Sequence, residues 1–160
     1  MEKKIAVVYF SKDGSTEQLA KVLQKRKDAD VIRLIEANPK GNLLTRGWRA
    51  SKRMGCKLVG TPEVEAEEYE SLILCTPIWA FNGTPAMTEF INNSDFKGKD
   101  IDIVTVKGYP DSVEKIHKYL KGQVESKNGV VKNCYDVTGA GIGKTVSLED
   151  VEKQVETLDI

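Results

Sequence analysis

Short apolar runs alternate along the chain with segments in which apolar residues recur every three or four positions. The apolar runs predict five β-strands, at residues 5–10, 31–35, 71–75, 101–106 and 130–137. The last of these is the most polar and is expected at a sheet edge. The intervening patterns predict helices, at residues 14–27, 84–91, 112–121 and from a capping sequence at 147–150 to about 158. A short helix at residues 47–55 is also predicted, within a segment that breaks the alternation.

Strands that alternate with helices form a parallel sheet covered by helices on both faces. With right-handed crossovers, the pattern predicts a three-layer, doubly wound α/β fold with five parallel strands in the order 2-1-3-4-5. The chain of 160 residues is expected to form a single domain, residues 1–160, since a domain of this size buries enough apolar surface for a core.

The composition of the chain argues against several classes of protein function. The 24 Lys and Arg residues balance the 24 Asp and Glu residues, so no nucleic-acid partner is expected. The apolar runs are far shorter than the roughly 18 residues of a membrane span, and the first strand leaves no room for a signal peptide. Three cysteines and a single histidine fit neither a disulfide framework nor a metal site. These features predict a cytoplasmic protein.

The loop after the first strand is a candidate phosphate site. Ligands of an open parallel sheet bind beyond the carboxyl ends of the strands, where the strand order reverses, which here is between strands one and three. The loop carries three hydroxyl groups and a glycine and opens into a helix, whose amides favour an anion. Its residues are Ser11, Lys12, Asp13, Gly14, Ser15 and Thr16. The alternative is a helix merely capped by Asp13 or Ser11.

The loops after strands three and four add aromatic groups. The first of them consists of Thr76, Pro77, Ile78, Trp79, Ala80 and Phe81, and the second of Lys107, Gly108 and Tyr109. Trp79 in a stiff, proline-flanked loop is placed to stack on a flat ligand, and the alternative is that Trp79 and Phe81 fold back onto the core. Taken together, the three loops predict a ligand with a phosphate tail and a flat ring.

Two segments resemble the flavodoxin family. The sequence IAVVYFSKDGSTEQLA, residues 5–20, is similar to the opening strand, phosphate loop and first helix of flavodoxin-like proteins. The sequence SLILCTPIWAFNGTPAMTEFI, residues 71–91, is similar to their third strand, flavin-facing aromatic loop and following helix. The resemblance implies non-covalently bound FMN, with its phosphate on residues 11–16 and its ring between the other two loops, stacked on Trp79 and Tyr109. Asp13 stands where the family usually carries Thr.

The implied function is electron transfer through FMN, to redox protein partners or to a small-molecule acceptor, and a carrier is favoured over an enzyme. One alternative is a two-electron quinone or flavin reductase, if the ammonium of Lys107 reaches the ring and stabilises its negatively charged reduced form. Another is a flavin-free module that binds an acidic protein through the basic segment 40–57, with Arg49, Lys52 and Arg53 on one helical face.

Two other features are expected to play no part in ligand binding. Residues 138–145, TGAGIGKT, are one glycine short of a P-loop and are predicted to form an ordinary glycine-rich loop. His117, in the middle of a predicted helix, is expected on the solvent-exposed surface.

Overall fold

A computed structural model of the chain describes residues 4–39, 43–80, 82–108, 112–141 and 143–160. Its five strands form one parallel sheet in the order β2-β1-β3-β4-β5, which confirms the predicted topology and places β5 at an edge. The strands are β1 (Ile5–Tyr9), β2 (Asp30–Arg33), β3 (Ser71–Pro77), β4 (Asp100–Lys107) and β5 (Val130–Thr138). Val7 of β1 lies opposite Val31 of β2 and Ile73 of β3, so the apolar runs pair with one another in the centre of the sheet.

In the described ranges six α-helices accompany the sheet, namely α1 (Ser15–Lys27), α2 (Leu43–Ser51), α3 (Pro62–Glu65), α4 (Pro85–Asn93), α5 (Glu114–Glu125) and α6 (Leu148–Glu156). Successive strand residues point to opposite faces of a sheet. Val7 and Tyr9 therefore pack with α1 and α6, whereas Ala6 and Val8 pack with α4 and α5. Helices cover both faces, as predicted for three layers. None of the helices in the described ranges is long and apolar enough to span a membrane.

Two helices begin at side-chain caps that the sequence indicates. The Ser147 hydroxyl accepts a hydrogen bond from the amide of Asp150 at 3.2 Å, which confirms the capping sequence before α6. The Thr84 hydroxyl accepts one from the amide of Met87 at 3.3 Å, and Pro85 occupies the first turn of α4. Such caps satisfy amides that have no partner within the helix.

The segment between β2 and β3 differs from its prediction. The helix predicted at residues 47–55 lies four residues earlier, as α2. It ends because Arg53 adopts a left-handed φ of 54°, while the amides of Arg53 and Met54 donate to the carbonyls of Ala50 and Arg49. This is the hydrogen-bond pattern of a Schellman motif. Lys52 therefore lies past the helix with Arg53, and the prediction of Arg49, Lys52 and Arg53 on one helical face was wrong. The four-residue helix α3 was not predicted.

Candidate functional site

The three predicted loops meet in a cleft at the carboxyl edge of the sheet. The cleft is open to solvent, and its volume including the open mouth is about 530 Å³. The predicted residues that line it are Ser11, Lys12, Asp13, Ser15, Thr16, Pro77, Ile78, Trp79, Lys107 and Gly108. Gly14, Thr76 and Ala80 are not among the lining residues, and Phe81 and Tyr109 lie outside the described residues.

The N-terminus of α1 forms one end of the cleft. Gly14 turns the chain into the helix with a φ of 91°, a left-handed conformation that glycine adopts without steric cost. The first helical hydrogen bond runs from the amide of Gln18 to the carbonyl of Gly14 at 3.0 Å. The amides of residues 15–17 therefore have no acceptor within the helix. Within the described residues no side chain caps α1, so this end keeps the hydrogen-bond donors of an anion site.

Asp13 directs its carboxylate away from these amides. Its Oδ2 accepts a hydrogen bond from the amide of Gly143, 3.3 Å away in the loop after β5. The Ser11 hydroxyl accepts from the amide of Gly14 at 3.1 Å. Neither side chain acts as the cap of α1, which overturns the alternative of a simply capped helix.

Trp79 supplies the aromatic surface of the cleft. Its indole packs edge-to-face on Phe10, with ring centroids 5.5 Å apart and an interplanar angle of 87°. The amides and carbonyls of Trp79 and Asn82 exchange hydrogen bonds of 2.8 and 2.9 Å, which closes a tight turn through Ala80. The side chain both contacts the core and lines the cleft, so its packing on the core does not remove it from the cleft.

The buried side chain of Thr76 anchors the base of the aromatic loop. Its hydroxyl oxygen lies 3.2 Å from that of Thr84, and it accepts from the Thr84 amide at 3.3 Å. Both side chains are buried, with residue exposures of 1% and 0%. These contacts join the end of β3 to the start of α4, so both ends of the short intervening loop are anchored.

A polar cluster lies at the ends of β4 and β5. The ammonium of Lys107 forms a 2.5 Å ion pair with Asp136, with side-chain exposures of 19% and 34%. Nearby, Nε2 of His117 lies 2.8 Å from the hydroxyl of fully buried Thr105. The prediction of an exposed His117 was wrong, since its position on α5 faces β4. Burial lowers the pKa of His117, although the charge of Asp136 opposes that shift.

The glycine-rich loop after β5, residues 139–146, was missed as part of the site. Gly139, Ala140, Gly141 and Lys144 line the cleft. The loop reaches it because α6 packs beside α1, so the connection from β5 must cross the carboxyl edge of the sheet. The amide of Gly139 donates to the carbonyl of Lys107 at 2.8 Å along this path. The sequence places this loop directly after the carboxyl end of a predicted strand, and that position could have identified it as part of the site.

Two more hydrogen bonds join the glycine-rich loop to the phosphate loop. The amide of Val146 donates to the Ser15 hydroxyl at 3.0 Å, and the Thr145 hydroxyl donates to the carbonyl of Asp13. The described part of the chain contains no group of three His, Cys, Asp or Glu side chains arranged to hold a metal ion. The cleft therefore offers amides, hydroxyls, lysines and aromatic surface as its binding groups.

The doubly wound sheet and the cleft at its strand-reversal point define the class of flavodoxin-fold proteins. The sequence profile of flavodoxin matches residues 4–156, and the chain belongs to the flavodoxin family. No curated protein matches it.

Solved structures with the same fold share little sequence with the chain. A protein from Bacteroides eggerthii assigned as a flavoprotein has a TM-score of 0.74 and 19% identity over 99% of each chain. A Lactobacillus acidophilus flavoprotein in complex with FMN has a TM-score of 0.67 and 12% identity, over 84% of this chain and 93% of its own. General stress protein 14 of Treponema denticola, also in complex with FMN, has a TM-score of 0.63 and 12% identity over 96% and 94%.

Proposed function

We propose that the protein binds FMN in this cleft and transfers electrons through it. The observation that carries the proposal is the pairing, across one cleft, of the uncapped N-terminus of α1 with the indole of Trp79. An anion site and an aromatic surface in one cleft suit a ligand with a phosphate and a flat ring. The two similar structures in complex with FMN support the choice of this cofactor.

Different residues of the cleft would bind the phosphate and the ring of FMN. The amides at the start of α1, with the Thr16 hydroxyl and the ammonium of Lys12, would hold the phosphate. Trp79 would stack on the ring and exclude water from one of its faces, and Gly108 also lines the cleft. Bound FMN supplies the redox chemistry, accepting and donating electrons, while the protein positions it and sets its electrostatic surroundings.

The ion pair of Lys107 favours a carrier over a two-electron reductase. The reductase alternative requires the Lys107 ammonium to neutralise a negatively charged reduced ring. The Asp136 carboxylate lies 2.5 Å from that ammonium, so its positive charge is already balanced within the protein. We therefore propose one-electron transfer between partners as the function. We also propose a cytoplasmic location, since the three free thiols suit a reducing compartment.

An absorption spectrum tests the proposal directly. The purified protein is measured before and after incubation with FMN, once unbound flavin has been removed by gel filtration. We expect visible flavin bands that elute with the protein at one FMN per chain. A protein that stays colourless under these conditions refutes FMN binding and leaves the flavin-free alternative. Steeply salt-dependent binding of poly-glutamate to that protein would then support a module for acidic partners.

We further propose that the partner is acidic and docks beside the cleft on residues 43–57, the described part of the basic segment 40–57. This segment contains no acidic residue, and it exposes Leu44 at 81% and Met54 at 43% among its cations. It is tied to the aromatic loop, because the Arg46 guanidinium lies 5.8 Å from the Trp79 ring centroid and Arg53 donates to Asn82 at 3.2 Å. A partner bound here would lie next to the ring.

Charge reversal in this segment tests the docking surface. The FMN-loaded protein is reduced, and its oxidation by ferricyanide, a small anionic acceptor, is followed at low and high salt. We expect the variant Arg49→Glu with Lys52→Glu to react several-fold more slowly at low salt and to lose most of the salt dependence. Lys25→Glu, on α1, changes the net charge away from the segment and serves as control. Equal rates in both variants would rule out a local basic surface beside the ring.

A further inference from the structure

Hydrogen bonds to the backbone of Gly143 and Lys144 place Lys144 beside the phosphate loop. The amide of Gly143, directly before Lys144, donates to the Asp13 carboxylate at 3.3 Å. The carbonyl of Lys144 itself accepts from the Ser15 hydroxyl at 3.3 Å. Gly143 has a φ of 71°, so the turn that brings its amide to Asp13 needs a left-handed residue. The backbone of Lys144 is thus fixed next to the N-terminus of α1.

Lys144 also lines the cleft, together with Lys12 of the phosphate loop. The two lysines come from neighbouring loops, one from the loop after β1 and the other from the loop after β5. Both residues are exposed, so each side chain can turn toward a bound anion without breaking a buried contact. The phosphate end of the cleft is therefore enclosed by two loops rather than by one.

A second cation would strengthen the attraction of this end of the cleft for a phosphate. A phosphate monoester carries about −1.5 to −2 charges at pH 7. The Asp13 carboxylate, which accepts from the amide of Gly143, adds one negative charge to the same pair of loops, and Lys12 adds one positive charge. Lys144 follows the residue that binds the Asp13 carboxylate, and its positive charge restores an attractive field for the dianion.

We infer that Lys144 binds the phosphate group of the flavin and makes the cleft prefer FMN over riboflavin. The inference rests on the proposed FMN function and adds to it a specificity-determining residue on the glycine-rich loop. Because the amides of α1 would hold the same phosphate, Lys144 contributes selectivity and is not needed for the fold or for the flavin ring.

The experiment compares two flavins in three lysine variants. Apo protein is titrated with FMN and with riboflavin, and binding is followed by quenching of flavin fluorescence. We expect Lys144→Gln to raise the Kd for FMN about tenfold, as for loss of an exposed charged hydrogen bond, and to leave riboflavin within about twofold. Lys144→Arg keeps the charge and should retain FMN affinity within a few fold. Lys153→Gln, on α6, removes a lysine outside the cleft and should change neither flavin.

Competition with inorganic phosphate tests the phosphate contact separately from the flavin ring. Inorganic phosphate should displace FMN from the wild-type protein at lower concentration than it displaces FMN from Lys144→Gln. Tight binding of FMN by the wild type with an unchanged preference over riboflavin in Lys144→Gln would overturn the inference alone. Equal weakening of both flavins would also overturn it, since Lys144 would then act on the loop and not on the phosphate. Failure of the wild type to bind FMN would overturn the proposed function, and the inference with it.

Discussion

Replacing Trp79 with alanine separates the contribution of this side chain to the core from its contribution to the cleft. The chain has two tryptophans, and Trp48 on α2 provides a matched control because it is 57% exposed and does not line the cleft. Trp79 is half-buried, with its indole edge-to-face on Phe10 and its remaining surface in the cleft. Removal of either indole deletes the same atoms, so the difference between the variants reflects position.

The contacts of Trp79 give the size of each effect. A fully buried tryptophan truncated to alanine costs about 3–5 kcal/mol, of which an aromatic pair supplies roughly 0.5–1.5 kcal/mol. With part of its surface facing the cleft, Trp79→Ala should lower the free energy of unfolding by about 2 kcal/mol, and Trp48→Ala by less than about 0.5 kcal/mol. Loss of an aromatic stacking partner costs about 1–3 kcal/mol, so the Kd for FMN should rise about 10- to 100-fold in Trp79→Ala.

The assay combines urea unfolding of the apo protein with flavin titration of each variant. In Trp48→Ala the remaining fluorescence comes from Trp79, and FMN should quench it strongly if the ring lies against the indole. A fall of more than about 4 kcal/mol in the stability of Trp79→Ala would show that the indole belongs to the core. An FMN affinity equal to that of Trp48→Ala would show that the ring does not stack on Trp79. Either result would refute the reasoning.

Three further predictions concern charge, protonation and packing. Asp13→Asn keeps an acceptor oxygen for the neighbouring loop but removes a negative charge from the phosphate end, so calorimetry should show several-fold tighter FMN binding; weaker binding would contradict this. Burial lowers the pKa of His117 below the roughly 6.5 of an unfolded histidine, so the unfolded state binds more protons and stability falls as the pH drops from about 7 to 5. Urea unfolding at both pH values should show a smaller fall for His117→Gln, and equal falls would exclude this linkage. Gly129→Ala would place its Cβ 2.5 Å from Cγ1 of Val124 and should cost about 1–3 kcal/mol, whereas Gly122→Ala, in open space on α5, should gain about 0.5–1 kcal/mol in thermal unfolding.

The sequence alone determined the sheet and two walls of the cleft. The central strands are short apolar runs and β5 is a more polar one, and helical patterns separate them, so local periodicity is sufficient to locate the strands and the crossover rule orders them. The phosphate and aromatic loops follow β1 and β3, which are neighbours in that order, and contiguous residues supply their chemistry. Trp79 and the hydroxyl-rich turn before α1 were therefore identifiable without coordinates.

Only the tertiary structure decided how distant segments complete the cleft. The Asp13 carboxylate binds the amide of Gly143, and Lys107 pairs with Asp136, which are contacts between residues 130 and 29 positions apart. Whether Asp13 would oppose an anion or turn away from it depended on where the loop after β5 arrived. That loop reaches α1 because α6 packs beside it, a choice made by interlocking side chains on one face of the sheet. The local pattern of polar and apolar residues shows which face of a helix is buried. It does not show which neighbouring element covers that face, because this depends on how side chains distant in the sequence fit together.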